Sequence, residues 1–220
     1  MKDIVIIGAG GFGREVKTII DAINIRAKEF NFLGFYDDNL EKGTLVNSYP
    51  ILGNLNDLQA HKKPINVVLG IGDPETKLKI SSALSSTNSS YPNIIHPSVH
   101  ISSDGVVLGK GCVICAGTIL TCNIEVKDFV TLNLLCTVGH DTVIGNYASF
   151  MPSVNISGEV VVHDKVYVGT GATIINQVCI GTASIIGAGA VVVQDIPAFC
   201  TAVGIPAKPI KFHDQTQVHD

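Results

Sequence analysis

The chain has 220 residues, of which 46% are hydrophobic and 6% aromatic, so it is long enough to bury a core in one or two domains. Its formal net charge is −4 and it has no basic run, which argues against nucleic acid as a partner. No apolar stretch approaches the roughly 18 residues of a membrane span, and the first residues lead into a strand pattern rather than a signal peptide. We therefore expect a cytoplasmic protein with no membrane partner.

A glycine-rich segment follows the first predicted strand, at residues 3–7. It runs Gly8-Ala-Gly10-Gly11-Phe12-Gly13 and leads into a helix pattern with apolar residues at i, i+3, i+4 and i+7 from Val16. In this strand–loop–helix order, glycines let the backbone approach a phosphate, and the helix start offers free N–H donors. A tight turn without any ligand is the alternative.

Two further strands are predicted at residues 30–36 and 65–69. The first of them ends in Asp37 and Asp38, where carboxylates commonly receive ribose or sugar hydroxyls in such folds.

The next strand leads into a second helix start. It ends in Gly70-Ile-Gly72, after which Asp73 is a candidate helix N-cap with Pro74 at the first helical position. Residues 1–90 are predicted to form a truncated α/β, Rossmann-like unit. Because this unit is half the size of a dinucleotide-binding fold, it suits one nucleotide or nucleotide sugar better than NAD.

Beyond the serine-rich stretch 81–90, the chain repeats every six residues. An aliphatic residue or Phe occupies each sixth position from Leu108 to Val192, and a smaller residue follows four positions later. This period predicts a parallel β-helix over residues 91–212, in which three hexads form a coil and residues 18 apart stack about 4.8 Å from each other. Many hexads carry Gly directly after the large apolar residue, and we expect it to relax the backbone at the bend. Residues 213–220 are predicted to be a polar tail.

The six cysteines are predicted to be reduced. Cys112 and Cys136 occupy the small-residue register of the hexads, where a thiol packs as a compact apolar group. Cys112 and Cys115 have a metal-like spacing, but no second pair completes a site, and the regular coils lack the neighbouring His of a three-His zinc site. We expect no metal.

Two His-Asp pairs stand at outward positions of the hexads, His140-Asp141 and His163-Asp164. Because the interior of a solenoid is dry, chemistry has to take place on its outer corners. A carboxylate beside an imidazole fixes its tautomer and raises its basicity, as a general base requires. The residues alone favour His140 only modestly, and an ordinary surface histidine is the alternative for each.

Three segments together resemble a known family. They are the head Ile-Ile-Gly-Ala-Gly-Gly-Phe-Gly-Arg-Glu-Val, the tail Val-Gly-Ile-Pro-Ala-Lys-Pro, and the hexads with Gly-His-Asp between them. This combination resembles the bacterial sugar O-/N-acetyltransferases, a group that includes sialic-acid O-acetyltransferase-like and bacillosamine-pathway enzymes, and it covers nearly the whole chain. The resemblance implies a left-handed β-helix and a homotrimer. It also implies acetyl-CoA between adjacent prisms and a nucleotide-linked amino sugar on the N-terminal domain.

The resemblance also assigns roles to residues. It implies that His140 is the catalytic base and Asp141 its supporting acid. The substrate contacts it implies are Gly10, Gly11, Phe12, Asp37, Asp38, Gly72 and Asn133. The contacts to CoA it implies are Ser149, Thr170 and Ala188. Some members of the family carry His where this chain has Phe12 and Ser149, which bears on the acceptor more than on the reaction type.

The predicted function is acetyl transfer from acetyl-CoA to the amino group of a nucleotide-linked amino sugar. Two alternatives stay open at this point. One is O-acetylation of a sialic acid or a related sugar, and the other is a non-catalytic protein that binds a sugar nucleotide.

Overall fold

The N-terminal part of the molecule is a six-stranded sheet with three helices. The computed structural model describes residues 1–214. The strands are β1 (Lys2–Ile7), β2 (Phe30–Tyr36), β3 (Leu45–Val46), β4 (Tyr49–Gly53), β5 (Ile65–Leu69) and β6 (Ser89–Ser90), and the helices are α1 (Gly11–Ala27), α2 (Leu55–Gln59) and α3 (Pro74–Ala83). The sheet order is β3-β4-β2-β1-β5-β6, parallel except for the β3–β4 hairpin. The predicted strands and the predicted N-cap of α3 at Asp73 are confirmed, and α1 begins at Gly11, inside the glycine-rich segment.

The glycines after β1 fix how the first helix lies against the sheet. A Cβ atom on Gly13 would lie 1.9 Å from the carbonyl oxygen of Gly8, so α1 approaches the end of β1 more closely than any side chain allows. Gly8 itself has φ +93°, a left-handed conformation that favours glycine. This packing places the N-terminus of α1 at the carboxyl edge of the sheet.

The rest of the described chain winds into a parallel β-helix with three faces. Face 1 consists of β7 (Ile94–Ile95), β10 (Val113–Ile114), β13 (Thr131–Leu132), β16 (Ser149–Phe150), β19 (Tyr167–Val168), β22 (Ile185–Ile186) and β24 (Cys200–Val203). Face 2 consists of β8 (His100–Ile101), β11 (Ile119–Leu120), β14 (Thr137–Val138), β17 (Asn155–Ile156), β20 (Thr173–Ile174) and β23 (Val191–Val192). Face 3 consists of β9 (Val107–Leu108), β12 (Glu125–Val126), β15 (Val143–Ile144), β18 (Val161–Val162) and β21 (Cys179–Ile180). We call the turn from face 1 to face 2 corner A, the turn from face 2 to face 3 corner B, and the turn from face 3 to face 1 corner C.

The hexad periodicity fills the interior of the prism. Neighbouring coils pair residues 18 apart, as in Leu132 with Phe150, and both of these side chains are fully buried. The smaller register is buried as well, and its threonines bond to backbone: the Thr118 hydroxyl donates to Asn133 O at 3.1 Å and that of Thr142 to Ser157 O at 3.2 Å. Burial raises the pKa of the Cys136 thiol to about 11, and all six cysteines are free. The interior is therefore dry and aliphatic, as predicted.

The expected reason for the glycines of the hexads is wrong. The left-handed residue of most turns stands two positions later, at residues such as Leu135 and Asp141, both with φ +58°. The glycines are needed for close approach between coils instead. A Cβ atom on Gly139 would lie 2.6 Å from the amide nitrogen of Gly158, and one on Gly181 would lie 2.3 Å from that of Ala198.

A buried lysine joins the N-terminal unit to the β-helix. Lys77 of α3 is fully buried, and its Nζ donates to Phe129 O at 2.7 Å, to Thr131 Oγ1 at 3.2 Å and to Ala148 O at 3.3 Å. These acceptors belong to two successive coils. An ion pair between Glu75 and Lys165, 3.4 Å apart, joins the first turn of α3 to the next coil. The helix is thereby fixed on face 1 and corner C.

The far end of the prism is closed by an antiparallel strand. β25 (Lys208–Phe212) pairs with β24. Of the predicted tail, residues 215–220 lie outside the described residues, whereas His213 bonds through Nε2 to Thr201 Oγ1 at 2.9 Å. The boundaries 1–90 and 91–212 stay predictions, although the last α/β strand ends at Ser90 and the first coil strand begins at Ile94. None of the helices in the described part of the chain has the length and apolar character needed to cross a membrane.

Candidate active site

His140 stands on corner B, on the outside of the prism. Its side chain is 56% exposed, and Nδ1 lies 2.7 Å from Oδ2 of Asp141. An ionised carboxylate only accepts hydrogen bonds, so Nδ1 carries a proton, and in the neutral form of the ring Nε2 has the free lone pair. The bond from His140 and, after it, the bond from Asn123 lower the pKa of the Asp141 carboxyl. This pair has the form of an oriented general base.

The second His-Asp pair is arranged differently. His163 is exposed, but Asp164 accepts hydrogen bonds from the backbone N–H of Asn146 at 2.7 Å and from its side-chain amide at 3.2 Å. No hydrogen bond between His163 and Asp164 occurs among the bonds of residues 1–214. Asp164 therefore supports the neighbouring coil, and only His140 has a carboxylate that orients its ring.

The glycine-rich loop lies at the carboxyl edge of the sheet. A Cβ atom on Gly10 or Gly11 would meet nothing within 4 Å, so the backbone there is open to a ligand. Phe12, in contrast, is partly buried against the core of the α/β unit. An open loop at a helix start suits an anionic group.

Asp37 shapes this loop. Its Oδ2 accepts the N–H of Ala9 at 2.8 Å, and its Oδ1 accepts that of Asn39 at 2.9 Å. Asp38 Oδ1 accepts the N–H of Leu55 at the start of α2. Both aspartates line a cavity of about 150 Å³, together with Gly8, Tyr36 and residues of α3. The two carboxylates thus hold backbone N–H groups, which the sequence did not predict, and also border the cavity where a sugar nucleotide was expected.

Corner A of the β-helix lies near the carboxyl edge of the sheet and carries other residues predicted to contact the substrate or CoA. A Cβ atom on Gly72 would lie 3.6 Å from Cε of Met151 on corner A. Asn133 lies one coil earlier at the same corner, nearly buried, and its Oδ1 accepts the N–H of Leu134 at 2.7 Å. Thr170 and Ala188 follow on the next two coils and are exposed.

Ser149 has a different environment from the other two residues predicted to contact CoA. It lies in β16 on face 1 and is fully buried, and its Oγ has no hydrogen-bond partner among the described residues. Its contact with CoA stays a prediction, as do the roles of Thr170 and Ala188.

Within the single chain, His140 does not reach the cavity beside the glycine-rich loop. Corner A, beside the glycine-rich loop, and corner B, with His140, are separated by face 2. None of the hydrogen bonds within residues 1–214 connects His140 or Asp141 to the α/β unit. Those residues also contain no group of three or more His, Cys, Asp or Glu side chains placed to hold a metal ion.

Comparison with known proteins identifies the family. The family described as PglD N-terminal domain matches residues 3–84. The GDP-perosamine N-acetyltransferase of Escherichia coli O157:H7 is 33% identical over 215 residues, which cover 94% of this chain and 95% of that protein. This chain belongs to the bacterial sugar N-acetyltransferase family.

Solved structures of sugar N-acetyltransferases have the same fold over almost the whole chain. A mutant of perosamine N-acetyltransferase from Caulobacter crescentus, in complex with CoA and GDP-perosamine, superimposes with a TM-score of 0.87 at 29% identity, covering 96% of this chain and 98% of that one. The acetyltransferase domain of PglB from Neisseria gonorrhoeae, in complex with acetyl coenzyme A, gives 0.84 at 27% identity, with coverages of 95% and 99%. The predicted α/β unit with a left-handed β-helix is confirmed, as is the predicted activity of a sugar N-acetyltransferase that uses acetyl-CoA.

Proposed function

We propose that this enzyme acetylates the amino group of a GDP-linked amino sugar of the perosamine kind. The observation that carries the proposal is the 33% identity with GDP-perosamine N-acetyltransferase along 95% of that protein. The α/β unit supports it with an open glycine-rich loop for the diphosphate and, beside it, a cavity bordered by the carboxylates of Asp37 and Asp38.

His140 acts as the general base in this proposal. The amine nitrogen attacks the thioester carbonyl carbon, and Nε2 of His140 takes the proton that the nitrogen loses. Asp141 accepts from Nδ1–H and stabilises the imidazolium that forms. The carbon–sulfur bond then breaks, and the CoA thiolate receives the proton from His140. The products are the acetylated amino sugar and free CoA.

The site is proposed to form between copies of the chain in a homotrimer. The sugar nucleotide and CoA would lie along corner A of one copy, where Thr170 and Ala188 are exposed, and His140 would come from corner B of the next. Exposed aliphatic side chains at the edge of this region support an interface: Ile119 on face 2 is 42% exposed and Leu135 on corner A is 61% exposed. We place the enzyme in the cytoplasm, where its six free thiols would stay reduced.

Release of CoA thiol tests the acceptor and the base together. We expect turnover with acetyl-CoA and GDP-perosamine, and much slower turnover with UDP- or TDP-linked amino sugars or with sugars that offer only hydroxyls. His140→Ala should lower kcat by about 10²- to 10⁴-fold with little change in CoA affinity. His163→Ala is the matched control and should keep full activity. Acetylation of hydroxyl acceptors only, or an unchanged rate in His140→Ala, would contradict the proposal.

A complementation experiment tests the shared site. His140→Ala and Asp37→Ala lie on the two halves of the proposed site and should each be impaired. If the site forms between copies, trimers that contain both variants regain sites in which both residues are native. Co-expressed chains that stay as inactive as the separate variants would place the whole site within one copy.

A further inference from the structure

A column of polar residues runs along corner B beside the base. Asn123, Asp141, Glu159 and Gln177 occupy the same position of four successive coils, with φ between +53° and +61°. Two amide–carboxylate bonds join them in pairs: Asn123 Nδ2 donates to Asp141 Oδ1 at 3.0 Å, and Gln177 Nε2 donates to Glu159 Oε2 at 2.8 Å. Only the first carboxylate of the column is bonded to a histidine ring.

The bond from Asn123 limits the orientation of Asp141. The Asp141 side chain is 50% exposed, so without a second contact the carboxylate is free to turn towards water. With Oδ1 held by Asn123, Oδ2 faces Nδ1 of His140. Asn123 therefore acts on the ring through the carboxylate and touches neither the ring nor its free nitrogen.

The adjacent row of the corner supports the ring from the next coil. Gly158 follows His140 by 18 residues and is buried. A Cβ atom on Gly158 would lie 2.5 Å from both Cε1 and Nε2 of His140, so the imidazole lies directly against the backbone of that coil. Any larger residue at this position would displace the ring or cover Nε2.

We propose that Asn123 and Gly158, one coil before and one coil after His140, are positioning residues for the acetyl-transfer base. The inference rests on the proposed role of His140. Asn123 holds the carboxylate that keeps the ring in the Nδ1–H tautomer, and Gly158 leaves the space in which Nε2 faces the acceptor. Asn123 touches no reacting atom, and Gly158 acts only by packing its backbone against the ring.

The test compares Asn123→Ala with Gln177→Ala. Both changes remove an amide that bonds a carboxylate of the adjacent coil, and both put Ala at a left-handed position of the same corner, so Gln177→Ala controls for the loss of one such bond. We expect Asn123→Ala to lower kcat about 10-fold with KM for acetyl-CoA unchanged, because a hydrogen bond to a charged group is lost. Gln177→Ala should keep the native kcat.

Ring nitrogen chemical shifts supply a readout that is independent of activity. In 15N-histidine-labelled protein, the His140 signals are identified by their loss in His140→Ala. We expect the Nδ1–H tautomer in the native protein and in Gln177→Ala, and a mixture of tautomers in Asn123→Ala. Gly158→Ala should lower kcat at least as much as Asn123→Ala and shift the His140 signals, while circular dichroism reports a folded β-helix.

The proposed positioning residues and the proposed base are overturned by different results. Equal kcat and equal His140 tautomers in Asn123→Ala and Gln177→Ala would overturn the role of Asn123, and an unshifted ring in Gly158→Ala would overturn that of Gly158. Full activity of His140→Ala would instead overturn the proposed base. The tautomer measurement would still report whether Asn123 orients the ring.

Discussion

The charge of Lys77 should make the stability of the protein depend on pH in a calculable way. The lysine has no ion-pair partner among the described residues and donates to two carbonyls and one hydroxyl. These bonds favour the ammonium form, but complete burial outweighs them and lowers the pKa of the amine from its ordinary 10.5 to about 7.

The direction of the effect follows from the two protonation equilibria. In the unfolded chain the amine recovers its ordinary pKa of 10.5, so between pH 7 and 10.5 the unfolded state binds more protons than the folded state. The free energy of unfolding therefore rises with pH in this window, by at most about 1.4 kcal/mol per pH unit. This gain in stability is lost as the pH falls towards 7. At pH 7 the folded amine is half protonated, so the gain from pH 7 to pH 9 comes to about 2 kcal/mol.

Urea unfolding of the native protein and of Lys77→Met at both pH values measures this gain. Methionine is similar in shape and does not titrate, and all other groups are shared, so the difference between the two proteins isolates the lysine. Both are compared at one protein concentration, because assembly adds to apparent stability. We expect the native protein to gain about 2 kcal/mol over the variant between pH 7 and pH 9. Parallel pH dependences would refute the reasoning and show that the hydrogen bonds offset the burial.

Two further predictions concern the core and the glycine-rich loop. Phe150→Ala should destabilise the protein by about 3–5 kcal/mol, measured by urea unfolding, because the ring is fully buried inside the prism; a loss below about 1 kcal/mol would contradict its place there. Gly13→Ala should abolish binding of the sugar nucleotide and preserve binding of CoA, measured by calorimetry. Its Cβ atom would lie 1.9 Å from Gly8 O and would push α1 away from β1, whereas corner A stays intact. Unchanged sugar-nucleotide binding would show that the loop adapts.

The regular parts of the structure could be predicted because their residues obey a strict period. The hexads fix both the strand positions and the stacking of residues 18 apart, and the structure pairs Asn123 with Asp141 in that same register. The β3–β4 hairpin and α2 were not predicted, because their short segments show neither a helical nor an alternating apolar pattern over enough residues.

Other features depend on contacts between distant parts of the chain. Lys77 is a charged residue in a helix, and nothing in its local sequence indicates that docking on face 1 buries it completely. The same limit applies to Asp37, whose two oxygens hold N–H groups 28 residues before it and two residues after it. From local sequence, such a carboxylate is predicted to contact a ligand. In the tertiary structure it also holds two backbone N–H groups and so fixes the loop.

Because each hexad advances the chain by one face, the sequence position of a residue determines the face or corner of the prism on which it lies. Removing one hexad between Val126 and Leu132 would leave the interior just as well filled, yet every later side chain would turn by a third of a revolution, and His140 would move to a different edge of the prism. Only changes of 18 residues, a complete revolution, preserve the angular relation between the α/β unit and the residues that follow. The length of this chain is therefore constrained far more tightly by the alignment of its edges than by the packing of its interior.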